Sequence, residues 1–252
     1  MTQHEAKVRE QFTRWAAPFA ALPAHAEGEA LARSLSAAGL ESWMRVLDVA
    51  CGPGIVACAA AGMVAQVVGV DLTPAMIEQA RHRQQAQGLA NCDWHVGNAT
   101  ALPFGDAGFD AVLTRYSFHH MPDPAAALAQ MVRVCRPGGR VTVIDATPDA
   151  RTQGPYDAME RLRDPSHASA LTLAQLRDLG RAAGLKEQAC DGYRLEVLLD
   201  TLADAADMAA LTSLFEADIA SGEDRIGVQA WRAADGIRFF FPVSILSWRK
   251  PD

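Results

Sequence analysis

The hydrophobic positions in the first part of the chain fall into five short apolar runs, and stretches with helical spacing separate most of them. The runs cover about residues 45–50, 67–71, 93–96, 109–114 and 140–146. Helices are predicted after Pro53, after Thr73-Pro74 and over 125–135, because proline and threonine favour helix starts. Strands that alternate with helices in this rhythm predict an α/β protein with a doubly wound, mostly parallel sheet.

The rest of the chain predicts two further strands and a helical cover. Strand patterns lie at 186–195 and at 236–248, and the second is either one long strand or a pair. These patterns bring the predicted sheet to seven strands. No segment has the composition of a linker, so residues 1–252 are predicted to form a single domain. The segments predicted to cover one edge of the sheet with helices are 1–40, 150–183 and 197–233.

A glycine-rich turn follows the first predicted strand. Residues 48–54 read Asp-Val-Ala-Cys-Gly-Pro-Gly, and Asp71 ends the second strand. Gly52 and Gly54 let the backbone approach a ligand that a β-carbon would repel. A carboxylate at the end of the second strand can accept hydrogen bonds from both hydroxyls of a ribose. The turn and the acid together predict a nucleoside-binding site.

Composition and charge narrow the class of protein. The chain has 252 residues, 50% hydrophobic, with a formal net charge of −7, which disfavours a broad nucleic-acid-binding face. The five cysteines form no C-x-x-C pair, and no histidine or cysteine spacing predicts a metal site. Neither a signal peptide nor an apolar stretch long enough for a bilayer is visible, so a cytoplasmic protein without a membrane span is expected.

With these elements in place, the chain resembles the class I S-adenosylmethionine-dependent methyltransferases. The likeness is to the ubiquinone/menaquinone-biosynthesis type and to the YcgJ-like small-molecule branch, which segment 160–167 resembles most specifically. Two departures are Ala50, where many members have glycine, and Asn98, where aspartate is usual. The other segments that carry the resemblance are 48–54, 71–72, 97–104, 109–112, 115–121 and 136–139.

The resemblance implies a Rossmann-like methyltransferase fold with S-adenosylmethionine as cofactor. Asp71 would hold the ribose, and Leu72 with the Asn98-Ala99 segment would contact adenine. Asp48 would either bond the amides of the glycine turn or approach the methionine end. The implied cofactor-binding residues are Asp48, Ala50, Gly52, Pro53, Gly54, Asp71, Leu72, Met76, Asn98, Ala99 and Arg115.

Candidate catalytic residues follow the fourth and fifth strands, at the carboxyl edge where ligands bind in such sheets. His119 or His120, with Asp145, is predicted to act as a general base. Structural packing of a histidine and helix capping by Asp145 are the alternatives. The residues predicted to bind the substrate are Phe12, Trp15, Phe19, Arg163 and His167. The alternative is core packing for the three aromatic residues and surface ion pairs for Arg163 and His167.

The predicted function is methyl transfer to N, O or C of a small aromatic or heterocyclic metabolite. The expected partner is this small-molecule acceptor, and the protein is expected to be a monomer or homodimer. One alternative is an NAD-linked oxidoreductase, since Gly52-x-Gly54-x-x-Ala57 satisfies a loose dinucleotide pattern. The other is a non-catalytic cofactor-binding protein. The Asn98-Ala99 segment and the apolar run 239–241 favour the methyltransferase.

Overall fold

A mixed sheet of eight strands forms the centre of the part of the chain that this computed structural model describes. That part comprises residues 2–20, 24–201 and 207–252, without the side chains of 17–20 and 24–27. The strands are Arg45–Val49 (β1), Gln66–Asp71 (β2), Cys92–Val96 (β3), Phe109–Arg115 (β4), Cys135–Ala146 (β5), Lys186–Leu198 (β6), Trp231–Ala233 (β7) and Gly236–Arg249 (β8).

The first five strands are parallel and the last three are antiparallel to their neighbours. The order across the sheet is β3-β2-β1-β4-β5-β8-β6, and β7 pairs with β8. Because the strand order reverses between β1 and β4, a ligand crevice is expected where β1 and β4 end. This sheet confirms the predicted α/β, doubly wound, mostly parallel fold. It has eight strands where seven were predicted, because the short β7 lies in the segment 197–233 that was expected to be helix.

Helices lie on both faces of the sheet. They are Gln3–Ala20 (α1), Ala24–Ala38 (α2), Ile55–Ala61 (α3), Pro74–Ala86 (α4), Pro124–Val134 (α5), Gln153–Arg163 (α6), Leu173–Ala182 (α7) and Met208–Ser221 (α8). Neighbouring strand residues point to opposite faces: Val46 packs with α2 and α3, whereas Leu47 packs with the α5 and α7 side. Burial on both faces explains why the central strands read as continuous apolar runs. None of the described helices is both long and apolar enough to cross a lipid bilayer.

The end of the chain differs from its prediction in one element. The helix expected over 197–233 is wrong at its start, because β6 continues to Leu198 and pairs Val197 with Phe239 of β8. Within 197–233 the described α-helix is α8, and β7 lies near the end of the segment; residues 202–206 lie outside the described chain. The apolar run 236–248 is one long strand rather than a pair.

Strands β6 and β8 extend the sheet past the end of β5. The pairing of β5 with β8 stops at Ala146 and Val243, whereas β6 and β8 stay paired as far as Leu198 and Arg238. We call residues 194–198 and 238–242 the overhang. Phe239 in the overhang packs with side chains of α6 and α8. The overhang therefore forms a wall that rises beside the carboxyl edge of the parallel strands.

Candidate active site

A cavity of about 560 Å³ opens at the carboxyl edge of the parallel strands. Its walls come from the turns after β1, β2, β3 and β4, from α1 and α6, and from the overhang. Its volume falls within the usual range of small-molecule sites, roughly 300–1,000 Å³. The cavity thus spans both the glycine turn and the histidine-containing loop.

Asp71 ties the glycine turn to the start of α4. Its Oδ2 accepts a hydrogen bond from the Gly52 amide at 2.9 Å, and its Oδ1 accepts one from the Thr73 amide at 2.8 Å. Burial raises the pKa of the Asp71 carboxyl, and these amides act against that rise. Asp71 lines the cavity, and each carboxylate oxygen can accept a second bond. The carboxylate is therefore placed and available for a ribose diol.

The two glycines of the turn serve different purposes. Gly52 has φ 52°, lines the cavity, and a β-carbon on it would meet no protein atom within 4 Å. Gly54 has φ 75° and does not line the cavity; a β-carbon there would lie 2.7 Å from Trp94 and 2.9 Å from Ala80. Gly52 leaves space for a ligand, whereas Gly54 permits packing of the turn against α4.

Ala50 occupies a conformation that favours glycine. Its φ is 54°, in the left-handed region, which costs a residue with a β-carbon roughly 1–2 kcal/mol. This conformation explains why glycine would suit the position. Ala50 lines the cavity beside Gly52.

Asp48 lies outside the cavity lining, although the resemblance implied a cofactor role for it. The side chain belongs to β1, is 1% exposed, and its Oδ2 has no hydrogen-bond partner among the described residues. Burial raises the pKa of Asp48 to about 8, with a further rise from the charge of Asp71 and an opposing effect from Arg115. Arg115 itself lines the cavity, and its Nε is unpaired within the described chain.

Asn98 is bound in a way that the sequence did not predict. Its Oδ1 accepts hydrogen bonds from the amide and the hydroxyl of Thr100, both at 3.0 Å, and its Nδ2 donates to Glu5 Oε1 at 2.7 Å. Both lone pairs of Oδ1 are thus occupied, so acceptance from an adenine amino group would require one bond to break. Asn98 instead fastens α1 to the loop after β3, beside Leu72, Met76 and Ala99 in the cavity wall.

His119 and Asp145 form a buried pair. The His119 Nδ1 donates to Asp145 Oδ1, and Asp145 Oδ2 accepts from the Phe118 amide at 2.6 Å. Burial lowers the pKa of His119, but the charge and hydrogen bond of Asp145 outweigh it, so the net shift is upward. The same pairing overcomes burial at Asp145 and lowers its pKa. His119 lines the cavity and is 9% exposed, whereas Asp145 does not line it.

His120 lines the cavity next to His119 and is held from three sides. Its Nδ1 lies 3.1 Å from the Ser166 hydroxyl, its ring meets Phe12 edge-on at 4.9 Å, and His4 Nε2 donates to its carbonyl at 2.7 Å. Burial lowers the pKa of His120, and the neighbouring His119 lowers it further. Helix α1 thus closes the cavity over this residue.

Helix α6 and the loop after it place charged side chains behind the histidines. Arg163 donates two hydrogen bonds to Glu160, at 2.9 and 2.7 Å, and both residues line the cavity. His167 does not line it; its Nε2 bonds Asp157 Oδ1 at 2.7 Å, and its ring stacks on that of His119 at 5.6 Å. The structure therefore places His167 behind the catalytic candidate rather than beside the substrate.

Most predicted site residues meet in this one cavity. Four do not line it, namely Asp48, Gly54, Asp145 and His167, and the side chain of Phe19 lies outside the described part. The predicted residues that line the cavity are Phe12, Trp15, Ala50, Gly52, Pro53, Asp71, Leu72, Met76, Asn98, Ala99, Arg115, His119, His120 and Arg163.

Several lining residues were not predicted. Tyr116 has φ 56°, and its hydroxyl lies 2.5 Å from that of Tyr193; its place in the segment before His119 was the available signal. Tyr156 and Glu160 lie on α6, within the segment 150–183 that was predicted as helical cover, but neither was singled out as a site residue. Phe241 belongs to the overhang. Within the described chain, no three or more possible metal ligands cluster together.

Comparison with known proteins identifies the family. The family model for a methyltransferase domain matches residues 47–143. The uncharacterized methyltransferase YcgJ of Bacillus subtilis (strain 168) is 33% identical over 178 residues, which are 70% of this chain and 70% of YcgJ. The chain belongs to the class I S-adenosylmethionine-dependent methyltransferases. The predicted enzyme class and cofactor are thereby confirmed, and the oxidoreductase alternative is set aside.

Solved structures and a second relative agree with this assignment. The crystal structure of YcgJ matches with a TM-score of 0.80 and 27% identity over 91% of this chain and 100% of that one. The Bacillus halodurans C-125 protein BH2331 matches with a TM-score of 0.79 and 26% identity. The match covers 88% of this chain and 99% of BH2331. The ubiquinone/menaquinone biosynthesis C-methyltransferase UbiE of Desulfotalea psychrophila is 39% identical over 109 residues, 42% of this methyltransferase and 43% of UbiE.

The residues of the cavity fit S-adenosylmethionine. Gly52 leaves open space at the glycine turn, and Asp71 retains acceptor capacity for the ribose. Arg115 lines the cavity, and its guanidinium is a cationic donor suited to a carboxylate such as that of the methionine moiety. Donor and acceptor groups of this methyltransferase therefore complement the two ends of its cofactor.

Proposed function

We propose that this methyltransferase methylates a small aromatic metabolite at a group that must lose a proton, a phenol or enol hydroxyl or the carbon conjugated to it. The observation that carries the proposal is the His119–Asp145 pair in the cavity wall. A histidine oriented by a buried carboxylate is suited to general-base catalysis. An acceptor that has no proton to lose would not need such a pair.

The cofactor supplies a methyl group carried on a sulfonium sulfur, which is already electrophilic. Gly52 and Asp71 are proposed to hold its ribose side and Arg115 its carboxylate. The task of the remaining residues is then to hold the acceptor in line and to exclude water. Such alignment can supply roughly 7–11 kcal/mol of barrier reduction.

His119 is proposed to take the acceptor proton on Nε2. Its Nδ1 must carry a hydrogen, because the Asp145 carboxylate to which it bonds can only accept. Four backbone amides, those of residues 117–119 and 146, also donate to Asp145 and fix its position. The lowered pKa of Asp145 keeps it ionised, and its charge would stabilise the imidazolium that forms.

The acceptor pocket is proposed to lie between His119, α6 and the overhang. Its walls include the rings of Phe12, Tyr156 and Phe241, and the guanidinium of Arg163 lies 5.7 Å from the ring centre of Phe241. Aromatic walls with a few fixed polar groups suit a planar aromatic ligand. We further propose that residues 1–252 work as one methyltransferase domain whose helical cover forms the roof of this pocket.

The experiment begins with a thermal-shift screen of phenolic and enolic metabolites in the presence of S-adenosylhomocysteine. With an acceptor in hand, His119→Gln is expected to lower kcat by about 10²–10⁴-fold while S-adenosylhomocysteine affinity by calorimetry stays within about twofold. The matched control is His82→Gln, which changes an exposed histidine on α4. Wild-type kcat in the His119 variant would contradict the base assignment.

The pH profile provides a second measurement. Since the pKa of His119 is raised, the base form is lost as pH falls through a value above that of free histidine, and kcat is expected to fall on that acidic side. In Asp145→Asn the charge that raises this pKa is gone, so the acidic limb is expected to move to lower pH. If the acidic limb of the kcat profile stays at the same pH in a folded Asp145→Asn variant, the pH dependence does not come from His119.

A further inference from the structure

Two imidazole rings stand side by side in the acceptor part of the cavity. The centroids of His119 and His120 are 4.2 Å apart, and the rings are tilted by 48°. Both residues line the cavity. No residue of the described chain hydrogen-bonds either Nε2, and neither atom is among the fully buried unpaired polar atoms found there. Both Nε2 atoms are therefore accessible to a ligand.

The surroundings of each Nδ1 fix the tautomer of both rings. Asp145 can only accept, so the Nδ1 of His119 carries the hydrogen. At His120, the Ser166 hydroxyl lies 3.1 Å from Nδ1 but donates its own hydrogen to Asp164 Oδ1 at 2.6 Å. The Ser166 carbonyl, 3.3 Å from Nδ1, also only accepts. Both imidazoles therefore present a bare Nε2 lone pair.

Two adjacent acceptors in a largely aromatic pocket need two adjacent donors. A buried acceptor that loses water without gaining a donor weakens binding. We propose that the acceptor substrate is a catechol-type aromatic, with one hydroxyl on His119 Nε2 and the neighbouring hydroxyl on His120 Nε2. The inference rests on the proposed function, because it takes His119 as the base, and it adds His120 as the residue that selects vicinal dihydroxy compounds.

The two histidines have distinct roles in this arrangement. The hydroxyl on His119 gives its proton to Nε2, and the freed oxygen electron pair forms the bond to the methyl carbon. The electron pair of the breaking sulfur–carbon bond stays on sulfur, which leaves S-adenosylhomocysteine. The hydroxyl on His120 keeps its proton and only orients the ring. The opposite pKa shifts of the two histidines are consistent with this division.

The test compares catechol with phenol. Product formation from each is measured by mass spectrometry, and binding of each by calorimetry in the presence of S-adenosylhomocysteine. Wild-type enzyme is expected to favour catechol over phenol by at least about tenfold in both kcat/KM and affinity, since one hydrogen bond to a buried acceptor is lost with phenol. The expected product from catechol carries one methyl group.

Variants at His120 isolate its contribution. His120→Phe keeps a ring but removes the acceptor, so the preference for catechol, measured as the ratio of its kcat/KM and affinity to those of phenol, is expected to fall to about one. His120→Asn restores an acceptor oxygen and is expected to recover part of the preference. Thermal unfolding and S-adenosylhomocysteine affinity report whether each variant remains folded.

Each outcome bears on one of the two proposals. Equal use or equal binding of catechol and phenol by the wild type, no binding of catechol at all, or a preference that survives in folded His120→Phe would overturn the inference. If the wild type prefers catechol in binding but His119→Gln keeps full turnover, the assignment of His119 as the base is wrong. The inference that the pocket recognises vicinal hydroxyls would then still hold.

Discussion

At Gly52 a left-handed backbone conformation coincides with the open space of the cavity. Gly88 has a similar φ, 63° against 52°, and a β-carbon there would also meet no atom within 4 Å, but Gly88 lies in the loop after α4 and does not line the cavity. The two glycines therefore form a matched pair for separating backbone strain from ligand contact.

Gly52→Ala and Gly88→Ala are expected to destabilise the protein by similar amounts, roughly 1–2 kcal/mol each, because both place a β-carbon in the left-handed region. Gly52→Ala alone is expected to weaken S-adenosylhomocysteine binding, by about tenfold or more, since its β-carbon enters the cofactor space. Urea unfolding and calorimetry measure the two effects. Equal cofactor affinity in both variants would show that the cofactor does not approach this turn.

Asp48 gives a pH-dependent stability that can be isolated. Its pKa rises to about 8 in the fold, against about 3.9 in an unfolded chain, so the unfolded state loses the proton first. Its contribution to stability is complete below about pH 4 and is lost as pH rises through 8. Asp48→Asn is expected to remove this loss and to raise the unfolding free energy at pH 8 by on the order of 1–3 kcal/mol.

Urea unfolding at pH 5 and pH 8 measures this effect, and Asp178→Asn, at an exposed aspartate, controls for the loss of one negative charge. The difference between Asp48→Asn and wild type should be larger at pH 8. A difference that is constant between the two pH values would mean that Asp48 is ionised in the folded protein.

How far single residues could be predicted depended on where their partners lie. The place of Asp71 beside the glycine turn in the cavity wall was predictable, because it follows from a strand end and a nearby glycine turn. The bond between Asn98 and Glu5 was not, because it joins residues 93 positions apart and depends on where α1 lies. Asp145 and His119 were paired as candidates from strand ends alone, whereas the position of His167 behind them required the fold of the α6 loop.

At the scale of elements, α1 is a part of the cover that touches both halves of the cavity. It packs against α4, donates from His4 to the His120 carbonyl, and places Phe12 edge-on to the His120 ring. The helix therefore supports the acceptor side through aromatic contact. Its cofactor side depends on the bond between Glu5 and Asn98.

Phe12→Ala is expected to raise KM for the acceptor by about 2–12-fold, the equivalent of the 0.5–1.5 kcal/mol typical of an aromatic pair, with less effect on S-adenosylhomocysteine affinity. Thr13→Ala changes an exposed residue on the same helix and serves as the control. Steady-state kinetics and calorimetry give the two quantities. A larger loss of cofactor affinity than of acceptor binding would place Phe12 over the cofactor instead.

Elements were predictable where burial on both faces produced uniform apolar runs, as in β1, β2 and β4. Helix α6 falls within the predicted helical cover, but its bounds did not follow from an apolar pattern, because its buried face carries Asp157 and Glu160. These acids are satisfied by His167 and Arg163 rather than by apolar contact. The alanine- and acid-rich composition after residue 197 predicted a helix, but pairing of β6 with β8 holds the first residues as strand.

At the scale of the whole molecule, cofactor binding should couple to global stability. A ligand that binds only the folded state at 100 times its Kd adds about 2.7 kcal/mol to the unfolding free energy. S-adenosylhomocysteine is therefore expected to raise Tm by several degrees in a concentration-dependent manner, and NAD is not. A thermal shift with NAD that equals that with S-adenosylhomocysteine would contradict the proposed selectivity of the cavity for the methyltransferase cofactor.

The overhang has a consequence for how this enzyme could diverge. The proposed contacts to the methyl donor come from turns of the parallel strands, where substitutions disturb the central core, whereas Phe241 and its neighbours stand beyond the last pair of β5 with β8. Duplicated copies of the gene could therefore vary this projecting ribbon and acquire new acceptors while keeping the methyl-donor site intact. A library that keeps the fully buried Phe239 and randomises the other residues of 194–198 and 238–242 would sample substrate range at less risk to the rest of the enzyme.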